Sequence, residues 1–308
     1  MLETSASFRS LHSRAMLLLR LAMVTAFVLD VWRTASRALD IEAALQRHPT
    51  VMVLPQEATQ LDWIILFFLF GFIARECMVP TSELPSPQLQ MLYFLTAAGL
   101  GCNTVYVEAF SAEHTLLALA ASAAQWLVVF AAYVLVIENV EPPHIFATLS
   151  VHKECGYPCR RPSDYLWMRV PFTLYSSWLG ATAIANLTIA LADMGVSLDM
   201  YIYISCFSAL LMANVIALLW QGDLVFAAVG VWAFVWLEMK SAKEKVLVVD
   251  NSDEFAAVSA IQAMATLGLC VLVSIAVVLL VVRFYVRRTT NAVPKFKGPS
   301  ISYYGSTT

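Results

Sequence analysis

Apolar residues in this chain come in long uncharged runs. Five windows, 84–107, 115–137, 170–192, 200–220 and 255–282, contain no Asp, Glu, Lys or Arg. The hydrocarbon core of a bilayer is about 30 Å thick and takes about 20 mostly apolar helical residues to cross. Each window therefore predicts a membrane-spanning helix, and none shows the period-two alternation of an outer-membrane barrel. The last window, 28 residues long, predicts a helix that tilts or extends beyond the hydrocarbon. Three weaker runs add to the count. Residues 63–74 form an uncharged stretch bracketed by Asp62 and the Arg75–Glu76 pair, 224–237 lies between Asp223 and Glu238, and 16–32 is apolar but holds Arg20 and Asp30. Short spans flanked by charges that reach the interface still cross inside a bundle. The pattern predicts an all-α polytopic transmembrane bundle of about eight helices, seven if the first is a cleaved or targeting segment.

Most connections are short. Gln221 and Gly222 alone separate the sixth and seventh helices, which predicts a tight antiparallel pair. Only 33–60, 138–169 and 238–254 leave room for extramembrane structure. The chain divides into an N-terminal segment over 1–50 holding the first helix, a helical membrane domain over 51–240, a loop and last helix over 241–285, and a basic tail over 286–308. With eight helices the N-terminus, the 138–169 loop and the tail share one side, which holds ten Lys and Arg against six on the other. Positive residues favour the cytoplasm, so both termini are expected there. Arg9, Arg14 and Arg20 among serines keep an organellar presequence open.

Composition agrees with the pattern and removes other classes. Hydrophobic residues make up 60% and charged residues 13%, against about 45–50% and about 25% in soluble domains. Mean hydropathy is +0.72. A net charge of −3 does not supply the basic surface that nucleic acid needs. Six cysteines are too few for a disulfide scaffold.

The chemistry of an enzyme is missing from the sequence. There is no G-x-x-x-x-G-K-[ST], H-E-x-x-H or G-x-S-x-G, and the expectation is a non-catalytic protein. His144, His152, Cys155 and Cys159 share one loop, but their spacing matches no established zinc pattern, so no metal is assigned. Polar groups inside spans are functional candidates by default. Asn103, Asn186 and Asn214 suit either a site or plain interhelical hydrogen bonds. Asp223 follows a glycine at a helix start, the place of an N-cap, and Glu108 with Glu113 suits a solvated turn. Of eight tryptophans, Trp32, Trp63, Trp167 and Trp220 sit where interfacial indoles do. Trp126, Trp178 and Trp232 lie inside their helices. Trp232 and Trp236 share a face, and Tyr175 sits near Trp178. Interior rings of this kind either fill a core or line a flat aromatic pocket.

Four segments resemble motifs of the translocator-like, tryptophan-rich sensory protein family in its long, multi-helix form. Val170-Pro-Phe-Thr-Leu-Tyr-Ser-Ser-Trp-Leu-Gly-Ala-Thr-Ala-Ile-Ala-Asn186 is similar to its P-F-S-L-Y-x-G-W-x-x-x-A-T-x-x-N helix. Gly222-Asp223-Leu-Val-Phe-Ala-Ala-Val-Gly-Val-Trp232-Ala233 is similar to G-D-x-x-Y-x-L-V-x-x-W-A. Pro55 stands eight residues before Trp63, as in P-x-x-x-x-F-x-x-W, and Asn103-Thr-Val-Tyr106 resembles N-x-x-W. Gln60, Tyr106, Ser177, the Thr182-Ala183 order and Phe226 depart from those patterns. The resemblance implies a bundle that binds or translocates a flat hydrophobic ligand, tetrapyrrole or sterol-like, with Trp63, Tyr175, Trp178, Asn186 and Trp232 converging on one pocket. Asn103 and Asp223 are expected to serve as structural polar or capping residues. Val282-Arg-Phe-Tyr285-Val-Arg287 also fits a proposed cholesterol-contact pattern, which an anchored helix end matches by default. Small residues such as Ala97, Gly101, Ala120, Ala124, Ala181 and Ala185 permit close helix approach. They suit internal packing, a homo-oligomer, or the alternative function, a non-catalytic subunit of a larger membrane complex. Membrane lipid is the expected partner and nucleic acid is not. No cofactor is expected beyond the tetrapyrrole or lipid that the resemblance implies.

Overall fold

The computed structural model of the protein describes residues 2–48, 50–78, 84, 86–140, 162–247 and 252–292. Nearly all of these belong to eight long helices. In order they are α1 Leu2–Arg47, α2 Gln60–Met78, α3 Ser86–Ser111, α4 Thr115–Asn139, α5 Val170–Asp193, α6 Met200–Gln221, α7 Leu224–Leu247 and α8 Ser252–Ala292. One helical turn, Pro162–Asp164, and a π-helical stretch, Tyr165–Arg169, lead into α5. No strand occurs among the described residues. Six helices, α1 and α4 to α8, are long and apolar enough to cross a membrane. The less apolar α3 packs between α1 and α4, and α2 packs on α5 and α1. The protein is a multi-pass, all-α membrane bundle. The 141–161 segment with its His144, His152, Cys155 and Cys159, and the tail beyond 292, lie outside the described residues.

The first helix is much longer than the apolar run 16–32 that announces it. Its 46 residues extend about 69 Å at 1.5 Å per residue. The expected extramembrane stretch after residue 32 is helical as far as Arg47, because its cations find acids on α3. Arg33 Nη1 lies 2.8 Å and Arg37 Nη2 3.3 Å from Glu108, and Arg47 pairs with Glu113 just past the α3 end. Glu108 and Glu113 therefore do not form a merely solvated turn; they tie α3 to α1. Likewise α7 does not stop at Glu238 but continues to Leu247.

Residues 50–59 are the second departure from the sequence expectation. They fold back among the helices and do not form an outside loop. Thr50 Oγ1 lies 2.9 Å from Thr188 Oγ1 near the end of α5, whereas the Ala58 carbonyl accepts from Trp232 Nε1, 3.1 Å away, in the middle of α7. The chain thus descends from one end of the bundle to its middle as turns and a short 3-10 helix, Gln56–Thr59. Non-helical backbone at this depth must have its polar groups satisfied by protein. Lys240 Nζ donates to Thr50 O and Val53 O, both at 2.7 Å, and Ala58 N donates to Pro55 O at 2.9 Å. Met52 and Ala58 are buried. Consequently α2 starts halfway along α5, which accounts for the short apolar run at 63–74.

The helix ends are closed by specific groups. Gly222 caps α6 in the left-handed conformation, φ 58°, where a side chain would be strained. Asp223 Oδ1 then accepts from Val225 N and Phe226 N, both at 3.1 Å, and so is the N-cap of α7. At the same end, Arg75 pairs with Asp164, Tyr93 donates to Glu76 at 2.7 Å, and Arg20 lies over the Tyr93 ring.

Candidate ligand pocket

The α5 sequence places Tyr175, Trp178, Thr182 and Asn186 along one stripe, because positions three and four apart share a helix face. Three of the four meet polar side chains from other helices. Trp178, only 2% exposed, donates from Nε1 to Asp62 Oδ1 on α2 at 2.5 Å. Gln125 on α4 donates to the Tyr175 hydroxyl at 2.7 Å. Asn186 donates to Ser122 Oγ on α4 at 3.0 Å and accepts from the Tyr106 hydroxyl on α3 at 3.3 Å. One turn before Tyr106, Asn103 donates to Asp30 on α1 at 2.7 Å. Asn103 and Tyr106 on α3 are thus matched by Ser122 and Gln125 on α4, again three residues apart. The result is a polar seam through the middle of the α1–α5 bundle.

Asp30 and Asp62 are the residues that the sequence reading missed. Asp30 appeared only as a blemish in the apolar run of 16–32, and Asp62 only as the boundary of α2. An acid within an apolar stretch is itself a signal of function and points to Asp30, whereas Asp62 stands at the edge of its run and carries no such signal. Asp30 is 2% exposed, with Asn103 as its donor. Asp62, by contrast, remains accessible although its partner indole is fully enclosed. It therefore sits at the surface of the bundle with its carboxylate turned to an interior ring.

The five proposed pocket residues do not all come together. Tyr175, Trp178 and Asn186 share the seam. Trp63 does not: at 68% exposed it points away from the bundle, and the adjacent Asp62 takes the inward position. One residue turns a helix by about 100°, so an outward Trp63 and an Asp62 turned to Trp178 are compatible on one helix. Trp232 is partly buried and its indole donor serves the Ala58 carbonyl. It also packs edge-on against Trp236, ring centroids 5.7 Å apart. Trp232 thus braces the 50–59 segment that precedes Asp62. Asn103 joins the seam, and Asp223 caps α7 at the end of the bundle. Asn214 bonds back to Leu210 O on its own helix, not across to another, and lies against Gly230. Among the described residues, no group of three His, Cys, Asp or Glu side chains is placed to hold a metal ion.

An all-helical bundle with amide, hydroxyl and carboxylate groups along an aromatic seam defines the class, a multi-pass membrane protein with a polar interior. The family is narrower. A family model described as TSPO-like protein matches residues 16–282, and the chain belongs to that family. The match extends through α6, α7 and most of α8, wider than the 50–240 stretch over which the motifs are spread. No curated protein and no solved structure matches the chain.

Proposed function

We propose that the α1–α5 half of the bundle binds, and in doing so carries or passes on, a flat hydrophobic ligand of tetrapyrrole or sterol type. The observation that supports this most is the Trp178–Asp62 bond. It joins an enclosed aromatic ring to an accessible carboxylate at mid-depth, where lipid offers no polar partner. A ligand with an extended apolar face and one polar edge matches that pairing: its face lies along Tyr175 and Trp178, and its polar edge meets Asp62 or the Asn103–Asp30 pair. The groups present bind and orient; none forms a nucleophile–base pair, and the reading is of a binder and not a catalyst. We further propose that both chain ends face the cytoplasm, in keeping with the distribution of Lys and Arg.

The experiment is gentle solubilisation followed by native mass and absorbance. A monomer or homodimer carrying a chromophore or lipid is the expected result. Co-purification with fixed protein partners and no small ligand would overturn it in favour of a complex subunit.

A further inference from the structure

A second site lies at the other end of α5, away from the aromatic seam. Arg169, 6% exposed, precedes α5; Arg283, 8% exposed, is near the end of the apolar part of α8; and Asp223, 4% exposed, caps α7. Arg169 donates from Nη1 to Val140 O at 2.9 Å, and its Nη2 lies 3.9 Å from Asp223 Oδ2. Arg283 donates from Nη2 to Gly222 O at 2.8 Å. Its Nε and Nη1 are enclosed and have no partner among the described residues. Among the described residues, Tyr165, Asp223 and Arg169 are the charged or titratable groups that act on it.

Two buried guanidinium groups therefore share one carboxylate among the described residues, and that carboxylate is heavily engaged. Asp223 Oδ1 holds two backbone N–H groups, and Oδ2 accepts from Thr173 at 3.3 Å and Tyr133 at 3.4 Å. Of the other described acids at this end, Asp164 pairs with Arg75, and Glu76 accepts from Tyr93 and lies 4.0 Å from Arg75. A buried cation short of counter-charge is costly. The remedy is an anion with several acceptor oxygens, and guanidinium forks suit phosphate.

We propose that Arg169 and Arg283 bind the phosphate of an anionic lipid. The position of Arg283 selects a lipid as the source of the phosphate. Its neighbours Val281, Val282, Phe284 and Tyr285 are all exposed on the lipid-facing side of α8, and the apolar run ends here, where headgroups begin. Arg283 alone of the five turns inward.

The test is native mass spectrometry of the full-length protein, delipidated and titrated with phosphatidylglycerol or phosphatidylcholine, with inorganic phosphate as a third arm. Wild type is expected to hold one phosphatidylglycerol at least tenfold more tightly than phosphatidylcholine. Arg283→Met, which leaves the Arg169 contacts in place, should lose that preference, while Arg283→Lys should keep part of it. If Arg283→Met fails to fold, as judged by melting without lipid, the intermediate affinity of Arg283→Lys carries the test. Equal retention of the two lipids by wild type, or an unchanged preference in both variants, would overturn the site. Protection by inorganic phosphate equal to that by phosphatidylglycerol would overturn the lipid as its source.

Discussion

The two halves of the bundle are held together by different means. Helices α1 to α5 are cross-linked by side-chain hydrogen bonds and ion pairs, from Asp30–Asn103 and Asp62–Trp178 to Thr115–Asp193 at 2.6 Å. Helices α6 to α8 rely on shape. Phe207 and Phe234 stack with centroids 4.6 Å apart, and Gly268 lies so close that a Cβ there would press on both rings. This half has a polar contact at the bundle end, from Arg283 to Gly222 O at 2.8 Å, and Asn214, further in, bonds within its own helix. Lipid tails are as apolar as leucine, so helices in a membrane associate through packing and hydrogen bonds, not hydrophobic burial. Packing alone suits a scaffold. Directional polar groups at mid-depth are costly unless paired, and here they are gathered and paired in the half that carries Trp178.

That contrast is open to direct attack. The largest effect should come from the packed half: Phe207→Ala leaves a cavity beside Phe234 and Gly268 and should lower stability by about 3 kcal/mol, read as a lower melting temperature, with porphyrin affinity unchanged. Next is Asn103→Leu, which removes the donor to the buried Asp30 carboxylate. Leaving a buried acceptor unsatisfied costs about 1–3 kcal/mol, and thermal denaturation together with porphyrin binding should register it. A normal melting temperature would show that Asp30 has another partner.

Trp178→Ala should weaken porphyrin binding roughly tenfold or more, since ring stacking contributes about 0.5–1.5 kcal/mol beyond burial and about 1.4 kcal/mol is tenfold. Quenching of the remaining tryptophans measures it, and equal affinities in a folded variant would return these rings to ordinary core. The smallest effect belongs to Trp63→Ala. An exposed ring that touches nothing polar should change affinity less than about twofold and stability within about 0.5 kcal/mol. A large loss there would mean that the ligand approaches along the outer face of α2.

The number and order of the helices are legible in the sequence because long uncharged runs have few other meanings. The seam on α5 is legible too, since Tyr175, Trp178 and Asn186 sit at helical spacing inside a specific motif. The length of α1 is not. Arg33, Arg37 and Arg47 break the apolar run, and only the arrival of Glu108 and Glu113 from another helix makes their positions tolerable. Nor is the inward fold of 50–59, which holds no apolar run of helical length and is retained by Lys240 and Trp232. Asp62 was hidden for a related reason: reading charges as boundaries assigns to the membrane edge an acid that contacts place at mid-depth.

The inward fold of 50–59 also bears on the order in which the protein is made. The donors for its carbonyls, Trp232 and Lys240, lie 174 to 190 residues later in the chain. When α2 leaves the ribosome those donors have not been synthesised. Bare carbonyls cannot wait in hydrocarbon, so the segment must stay near water until α7 arrives. Maturation of the Asp62–Trp178 site is thus a late event, and a chain truncated before α7 would enter the membrane without ever completing it.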